Sequence, residues 1–515
     1  MIVALIKKRW TWLWVVGLFI ISLIYRLYGA SNNQPFWVDE FSTASQAQLY
    51  IRHGINVLFN PQINFEYNNY TYHLLTAVFF GLFGQSEMVA RLPSILIGST
   101  IPILAFLLGK SVFNKTTAIA ASLLTAFSYF EIVWSRQARG YILLQAVVLL
   151  SLLIYIRLLK ENKTKNHLLG LFFALLIFGI FTHFFFYILL ASLALHFAMN
   201  HRGSIIKQLG RVKFYILIAI IGALLFKLRF FHVLIETYST GLYKANNVWY
   251  YHSFLWREYG LIIFLAVVGT ILSLLKQNKT SVILISYVVL HLLFICFFLS
   301  PYVTRYTLPV FPLLLVYAGY ALTQLTPRFR IVLPIIFTLF IILNGDKFAV
   351  KPKQFYSVNH DFREIALVNY DEVYRIIKQK GKLEERRTAI IDTWHDRLFW
   401  YVGEDYPGLY WFHWINSPGL VNGLERKSYF LYNDAGEKIM PKQKKIRFIG
   451  ELQDLKMAMK KYPRGFIFID DASLPKEVID YVQKNFKKEL YLDHYPLDDN
   501  PYSIWPATLY SWGIK

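Results

Sequence analysis

The sequence contains very little cysteine and, over its first two thirds, very little acid. Its single cysteine is Cys296, so an intramolecular disulfide is excluded and the redox compartment stays open. Residues 1–344 contain 27 lysines and arginines but only eight aspartates and glutamates, whereas residues 345–515 contain 27 and 24. The basic excess therefore belongs to one part of the chain. No single basic face or arm carries this excess, which argues against a nucleic-acid partner.

Apolar residues are abundant instead. Of the 515 residues, 56% are hydrophobic and 18% are aromatic, and the mean hydropathy is +0.38. An average soluble domain is about 45 to 50% apolar. The composition therefore predicts a membrane protein.

Eleven apolar stretches approach the roughly 20 residues that a helix needs to cross a bilayer. Threading them alternately through the membrane places every basic connecting segment on one side, as expected for cytoplasmic loops, and seven of the eight acids of residues 1–344 on the other. The predicted spans are 11–29, 89–109, 116–134, 141–159, 168–182, 183–199, 214–231, 258–275, 281–299, 307–325 and 331–344.

This threading predicts a multi-pass protein of the plasma or inner cell membrane with a cytoplasmic N-terminus. One alternative stays open, because 168–199 also fits a single long tilted helix, which would reverse the sidedness of everything that follows. The apolar run 74–83 is too short to cross, so we expect it, with 41–53, to form helices along the outer membrane interface.

Hydropathy falls and charge rises after residue 344. We predict a transmembrane domain over 1–344, with a first extracytoplasmic loop at 30–88, and a small soluble extracytoplasmic α/β domain over 345–515, because helical and strand patterns alternate there. The predicted helices are 361–380, 451–461 and 475–486, and the predicted strands are 388–392, 446–449, 465–470, 489–493 and 508–512.

Two adjacent carboxylates, Asp39 and Glu40, follow the first apolar run. Charges near hydrocarbon are costly, so such residues commonly have a function. The alternative is that they supply negative charge to the first turn of a helix, which the helix dipole favours. Glu66 and His73 follow in the same loop, so a divalent metal stays open as a cofactor, although no ligand spacing there is diagnostic.

The predicted outer turns carry cations, against the usual inside bias. Arg136 and Arg139 lie in one turn, His183 in another, and Arg305 with Tyr306 in a third, while Lys227 ends a span. Arg and Lys at these positions either extend their charged groups to lipid headgroups or bind an anion such as phosphate. For His183 the alternatives are a buried ring satisfied by a backbone carbonyl and contact with phosphate or acceptor. Glu131 is a candidate ion-pair partner for either arginine of the first turn.

In their order, these features resemble the GT-C glycosyltransferases, and most closely the clan of protein O-mannosyltransferases and lipid A aminoarabinose transferases (family 39-like). The likeness covers roughly residues 10–325. The loop 66–73 departs from the pattern of many relatives, which leaves the sugar and the acceptor open. The segments that carry the resemblance are Trp37-Val38-Asp39-Glu40, Leu82 to Ser94, Ser135-Arg136-Gln137-Ala138-Arg139, Thr182-His183 and Arg305-Tyr306 with Pro309 to Pro312.

The resemblance implies that a sugar is transferred, with inversion, from a polyprenyl-phosphate carrier to the hydroxyl of a lipid, polysaccharide or protein acceptor on the outer face. It implies Asp39 as general base, with Glu40 orienting the loop or acceptor. It also implies phosphate or substrate contacts from Arg136, Arg139, His183, Lys227, Arg305 and Tyr306. A transporter or flippase of lipid-linked sugars is the alternative, although the sequence shows no internal repeat of the kind common in transporters.

Overall fold

A computed structural model describes residues 2–30, 36–58, 70–160, 166–200, 246–299, 303–325, 331–351, 368–413, 431–440, 446–470, 474–492 and 507–514. The chain divides into two compact units. One comprises Met1–Asn32 with Tyr67–Phe355, and the other comprises Asn33–Glu66 with Tyr356–Lys515. We refer to them as the membrane unit and the sheet unit. The short segment that carries Asp39 and Glu40 therefore belongs to the same unit as the C-terminal region.

Helices account for nearly all of the regular structure among the described residues up to 344. In chain order they are α1 (Ile2–Leu27), α2 (Val38–His53), α3 (Tyr70–Phe83), α4 (Glu87–Val112), α5 (Lys115–Phe127), α6 (Tyr129–Trp134), α7 (Tyr141–Lys160), α8 (Asn166–Thr182), α9 (Phe186–Asn200), α10 (Val248–Leu275), α11 (Lys279–Phe297), α12 (Phe311–Leu325) and α13 (Val332–Asn344), with 3₁₀ turns at Gly54–Leu58 and Thr304–Thr307.

Four of the described helices, α4, α7, α10 and α11, are long and apolar enough to cross a bilayer, and further apolar helices are shorter. Ten of the eleven predicted spans contain a described helix, and the eleventh, 214–231, lies outside the described residues. The prediction of a polytopic helical membrane protein is confirmed. The side of the membrane on which each turn lies stays a prediction.

The predicted span 116–134 is wrong in one respect, because two helices replace one. Ser128 has extended backbone and its Oγ accepts a hydrogen bond from the Glu131 N–H at 3.4 Å. The residues on either side of it pair with a distant strand-like segment: the Tyr129 N–H donates to the Lys347 carbonyl at 3.0 Å, and the Ala349 N–H donates to Phe127. Partners more than 200 residues away end α5, and no local signal predicts them.

Close backbone approach holds the helices of the membrane unit together. Gly269 of α10 faces α12, where an added Cβ would lie 2.1 Å from the Tyr317 carbonyl oxygen. Between lipid-embedded helices there is no hydrophobic driving force of the kind that acts in water, so small residues that permit such contact stabilise the packing. Any larger residue at 269 would separate these two helices.

The described residues of the sheet unit form α2 and an eight-stranded mixed sheet with helices. Its remaining elements are α14 (Tyr370–Gly381), β1 (Thr388–Asp392), α15 (His395–Tyr401), β2 (Leu409–Phe412), β3 (Leu431–Tyr432), β4 (Lys438–Met440), β5 (Ile446–Ile449), α16 (Leu452–Lys461), β6 (Arg464–Ile469), α17 (Lys476–Asn485), β7 (Lys487–Leu492) and β8 (Ala507–Trp512).

The strand order is β3-β4-β5-β2-β1-β6-β8-β7. The central strands β5, β2, β1 and β6 are parallel, and the outer pairs are antiparallel. Apolar side chains from the central strands and from the helices form one core, including Ile391, Phe412, Ile467, Leu455 and Val478. Every residue of β1 and β2 is buried, and burial on both faces is typical of parallel strands covered by helices.

The predicted α/β class is confirmed. Each of the five predicted strands is present, shifted by at most two residues at either end, and the predicted helices 451–461 and 475–486 correspond to α16 and α17. Of the predicted helix 361–380, the part before residue 368 lies outside the described residues. No sequence pattern predicted α15, β2, β3 or β4, whose runs are only two to seven residues long.

Candidate active site

The acidic segment forms the first turn of α2. Trp37 caps this helix with extended backbone, and its N–H donates to Glu40 Oε2 at 3.4 Å. The Glu40 side chain is fully buried, whereas Asp39 is half-buried. Consecutive residues of a helix point about 100° apart. The two carboxylates therefore lie in different surroundings, and Glu40 serves the helix terminus in the way that a capping residue does.

The cationic turns of the membrane unit converge. Arg305 lies among three aromatic rings, with its Cζ 5.8 Å from the centre of the Trp134 ring, 5.9 Å from Tyr141 and 5.9 Å from Tyr306. The Cζ of Arg139 is 6.0 Å from the same Tyr141 ring. Two predicted phosphate ligands that are 166 positions apart in the sequence thus share one aromatic neighbour, at distances that permit cation–π attraction.

His183 joins this group from a third segment. Its ring centre is 5.1 Å from that of Tyr141, and it is 4% exposed. Its Nδ1 accepts a hydrogen bond from the Phe185 N–H at 3.2 Å, so the neutral ring carries its proton on Nε2. The turn at 183–185 also separates α8 from α9, which shows that the alternative of one long helix over 168–199 is wrong. We call Arg139, His183, Arg305 and Tyr306 the cation cluster.

Buried polar side chains hold the turn that carries Arg305. Gln145, within α7, donates from Nε2 to the Leu308 carbonyl at 2.6 Å and to Glu131 Oε1 at 2.9 Å. His291, within α11, bonds through Nε2 to the Tyr306 carbonyl at 2.7 Å. The site residues predicted from the sequence do not include Gln145, His291, Trp134 or Tyr141. A polar residue inside an apolar span is a signal that would have identified the first two.

Arg136 has a different environment from Arg139. Its Nη2 donates to the Tyr25 carbonyl at 2.6 Å and to the Tyr28 carbonyl at 3.0 Å, and the residue is 2% exposed. These carbonyls lie at the end of α1, where helices leave carbonyl groups without intrahelical partners. Arg136 therefore caps α1, and its predicted place among the phosphate ligands finds no support in this geometry.

Helix α3 reaches the same turns. Thr71 donates from Oγ1 to Thr182 Oγ1 at 2.9 Å, next to His183, and His73 lies within electrostatic range of Arg139. Lys227 lies outside the described residues, as does Glu66. Within the part of the chain that the structure describes, no group of three or more His, Cys, Asp or Glu side chains is arranged to hold a metal.

Comparison with known proteins adds a family match over part of the chain and a fold. The sequence model of the dolichyl-phosphate-mannose-protein mannosyltransferase family matches residues 70–230, which include α3, the turn with Arg139 and the turn with His183. No curated protein gives a significant sequence match.

Solved structures match over almost the whole chain. ArnT from Cupriavidus metallidurans in the apo state is 12% identical with a TM-score of 0.58, and 98% of both chains is covered. The same protein bound to undecaprenyl phosphate is 14% identical with a TM-score of 0.51 and the same coverage. The apo oligosaccharyltransferase of Archaeoglobus fulgidus is 11% identical with a TM-score of 0.54, covering 98% of this chain and 74% of that one. The chain has the fold of these GT-C superfamily glycosyltransferases, which confirms the resemblance seen in its sequence.

Proposed function

We propose that this protein is an integral membrane glycosyltransferase that moves a sugar from a polyprenyl-phosphate carrier to an acceptor hydroxyl on the extracytoplasmic face. The observation that carries the proposal is the cation cluster, in which three separate segments bring Arg139, His183 and Arg305 around the Tyr141 ring. Guanidinium groups match phosphate oxygens in geometry and keep their charge at all physiological pH values.

The cluster suits a leaving phosphate. As the bond between the sugar and the phosphate breaks, negative charge grows on the phosphate oxygens. Fixed positive groups aimed at that charge stabilise the transition state more than the ground state. Arg139 and Arg305 supply the positive charge, and His183 supplies an Nε2–H donor. A phosphate that is stabilised in this way leaves without needing a proton, so the reaction requires no general acid.

Asp39 acts as the base in this proposal. Its carboxylate takes the proton of the acceptor hydroxyl while the hydroxyl oxygen forms a bond to the anomeric carbon of the sugar. The bond from that carbon to the phosphate oxygen breaks, its electron pair stays on the phosphate, and the configuration inverts. The half-buried position of Asp39 supports this role, since Glu40 is engaged at the helix terminus.

The matched structures support the choice of carrier. The ArnT structure contains undecaprenyl phosphate, and an archaeal oligosaccharyltransferase with the same fold contains dolichol-phosphate. Both are polyprenyl phosphates, the product that the proposed reaction would leave in the membrane.

Asp39→Asn tests the proposal. Purified protein is incubated with donor lipid extracted from the native membrane, and the release of polyprenyl phosphate together with the glycosylated product is followed by mass spectrometry. We expect the variant to lose roughly 10² to 10⁴-fold in rate, the usual contribution of a general base. Asp346→Asn is the control, because that carboxylate is 86% exposed, and it should keep wild-type activity.

Activity of Asp39→Asn within a few-fold of wild type would remove Asp39 as base. The same assay separates transferase from transporter. A transporter redistributes the lipid-linked sugar and leaves it intact, so unbroken donor in the presence of wild-type protein and acceptor would overturn the proposal.

A further inference from the structure

The sheet of the sheet unit has a topological switch point between β1 and β6. From β1 the chain proceeds to β2 and then β5 on one side, and later returns to place β6 on the other side of β1. In open α/β sheets the crevice at the carboxyl ends of strands around such a point is the usual ligand site. Here the residues at those ends are Asp392, Thr393 and Asp470.

The chain's own Arg397 fills the described part of this crevice. Its Nε donates to Asp392 at 2.9 and 3.1 Å, and its Nη1 donates to Asp470 Oδ2 at 2.9 Å. Its Cζ lies 4.1 Å from the centre of the Tyr370 ring and 5.0 Å from that of Phe468. Arg397 is fully buried. The two carboxylates that would bind a ligand in this place are thus paired with a guanidinium of the same chain.

Tyr370 joins this ion cluster to α2. Its ring centre is 5.8 Å from that of Phe41, which in turn is 5.7 Å from Tyr401, and Tyr401 stacks on Tyr374 at 4.3 Å. Tyr374 donates its hydroxyl proton to Asp392, the carboxylate that binds Arg397. The surface over the switch point is therefore aromatic, and the side chain of Phe41 lies on it.

Two further contacts fix α2 at both of its ends. Phe36, just before the helix, lies 5.1 Å from Trp400, measured between ring centres. Arg52, in the last turn, forms an ion pair with Glu404. Phe36 and Phe41 are fully buried. A 16-residue helix with a polar composition is marginal by itself in water, and tertiary packing supplies most of its stability. Asp39 lies between these two phenylalanines in the sequence, so their contacts determine the position of its carboxylate.

We propose that the C-terminal sheet serves as the positioning platform for the catalytic helix, with Phe36 and Phe41 as positioning residues that dock α2 on Tyr370, Trp400 and Tyr401. The inference rests on the proposed function in one respect, the role of Asp39 as base. It assigns to the C-terminal domain a structural part in catalysis, and it replaces ligand binding at the switch point with binding of a segment of the same chain.

Chemical cross-linking tests the docking without reference to activity. In a Cys296→Ser background, cysteines at Arg52 and Glu404, whose side chains are 38% and 20% exposed, are treated with a short bismaleimide in the full-length protein in lipid nanodiscs. We expect efficient intramolecular cross-linking. The control pair combines Arg52→Cys with Tyr491→Cys. Tyr491 lies on β7, which is four strands away from β2, the strand that follows Glu404, or about 19 Å at the ordinary spacing between strands. This pair should cross-link poorly. Equal yields for both pairs would overturn the docking.

The cross-linked protein should also retain its transferase activity, because the docked arrangement is the active one in this inference. A cross-linked enzyme that is inactive, beside an active uncross-linked sample of the same double-cysteine variant, would contradict it.

Kinetics test the consequence for the base. Phe41→Ala should lower kcat at least tenfold and leave the KM for the lipid donor within about threefold of wild type, because the phosphate ligands are untouched. Phe41→Leu should recover part of that loss. Ile51→Ala is the control, since this apolar side chain of the same helix is 46% exposed and its removal should leave both constants unchanged. Should Phe41→Ala fail to fold, Trp400→Ala removes the contact with Phe36 from the opposite side and should give the same split between kcat and KM.

The outcomes separate the two proposals. If Asp39→Asn is inactive while Phe41→Ala has wild-type kcat, the positioning role fails and the proposed function stands. If Asp39→Asn is active, Asp39 is not the general base. The cross-linking result still decides whether α2 is docked on the sheet.

Discussion

Helix α2 and the cation cluster carry the charged side chains of the proposed reaction, and they are held by opposite kinds of contact. In the sheet unit, aromatic rings bury Phe36 and Phe41 and so fix α2. In the membrane unit, hydrogen bonds from Gln145 and His291 to backbone carbonyls fix the turn that carries Arg305. Apolar burial is the main driving force in water. Between helices in lipid that force is absent, so polar contacts and close packing take its place.

This difference predicts where mutations act. In the sheet unit, removing one charged side chain should lower stability strongly where it is buried in an ion pair with groups of opposite charge. In the membrane unit, loss of a single buried hydrogen bond should displace a functional turn without unfolding the unit.

The largest effect on stability is expected from Arg397→Met. It leaves the buried carboxylate of Asp392 and that of Asp470 without their guanidinium, and breaking a buried ion pair from one side costs about 3 to 5 kcal/mol. Thermal unfolding of the full-length protein, with limited proteolysis of the C-terminal region, measures this. Arg375→Met is the control, because its side chain is 59% exposed and pairs with Glu372 on the surface, an interaction of at most about 1 kcal/mol. Equal destabilisation by both variants would refute the role of the buried cluster.

The largest effect on activity in the membrane unit is expected from Arg305→Gln. Removing one group that stabilises developing charge lowers kcat by about 10² to 10³-fold, while the fold should persist because the turn keeps its bonds to Gln145 and His291. Steady-state transfer assays measure kcat, and circular dichroism monitors folding. Arg257→Gln removes a half-exposed arginine and should behave as wild type. An Arg305 variant with normal kcat would exclude this residue from the transition state.

A smaller effect is expected from Gln145→Leu. The substitution removes the donor to Leu308 and to Glu131, and leaving buried acceptors without a donor costs about 1 to 3 kcal/mol. We expect lower thermal stability together with a reduced kcat, since the segment that follows Arg305 loses its hydrogen bond from Gln145. Gln324→Leu, in a half-exposed position on α12, should change neither quantity. A loss of thermal stability with unchanged kcat would show that Gln145 contributes to the stability of the fold and not to catalysis.

The smallest effect concerns acid pH in the sheet unit. Burial would raise the pKa of Glu437, but hydrogen bonds from Lys461, Tyr410 and Asn433, with the charge of Arg447, lower it to about 2 from an ordinary value of 4.5. A lowered pKa in the folded state stabilises the protein above pH 4.5, and this stabilisation is lost as the pH falls from 4.5 towards 2. The difference in unfolding temperature between wild type and Glu437→Gln should therefore be largest near pH 6 and shrink by pH 3. A difference that is constant with pH would contradict this assignment.

The sequence predicted most of the elements, because they follow from local apolar runs and from the alternation of helical and strand patterns. It did not predict the break at Ser128, since the pairing partners of its neighbours lie near Phe348. It also did not predict that α2 packs on the C-terminal sheet. Phe36 and Phe41 are typical of a helix that lies on a membrane interface, and their partners at Tyr370, Trp400 and Tyr401 are more than 300 residues away in the chain.

The environments of the individual charged side chains could not be predicted from the sequence either. Arg136 and Arg139 share one short turn and the same residue type, yet one caps α1 and the other joins the cation cluster. The two arginines are three residues apart, and the backbone of the turn between them points their side chains in different directions. No local sequence pattern indicates that geometry.

Binding of undecaprenyl phosphate tests the central claim, that the turns of the membrane unit form one site for a lipid phosphate. The dissociation constant is measured for wild type, Arg139→Gln/Arg305→Gln and the control Lys160→Gln in nanodiscs made from uncharged lipid. We predict binding at least tenfold weaker for the double variant and unchanged for the control. Equal binding by all three proteins would contradict it.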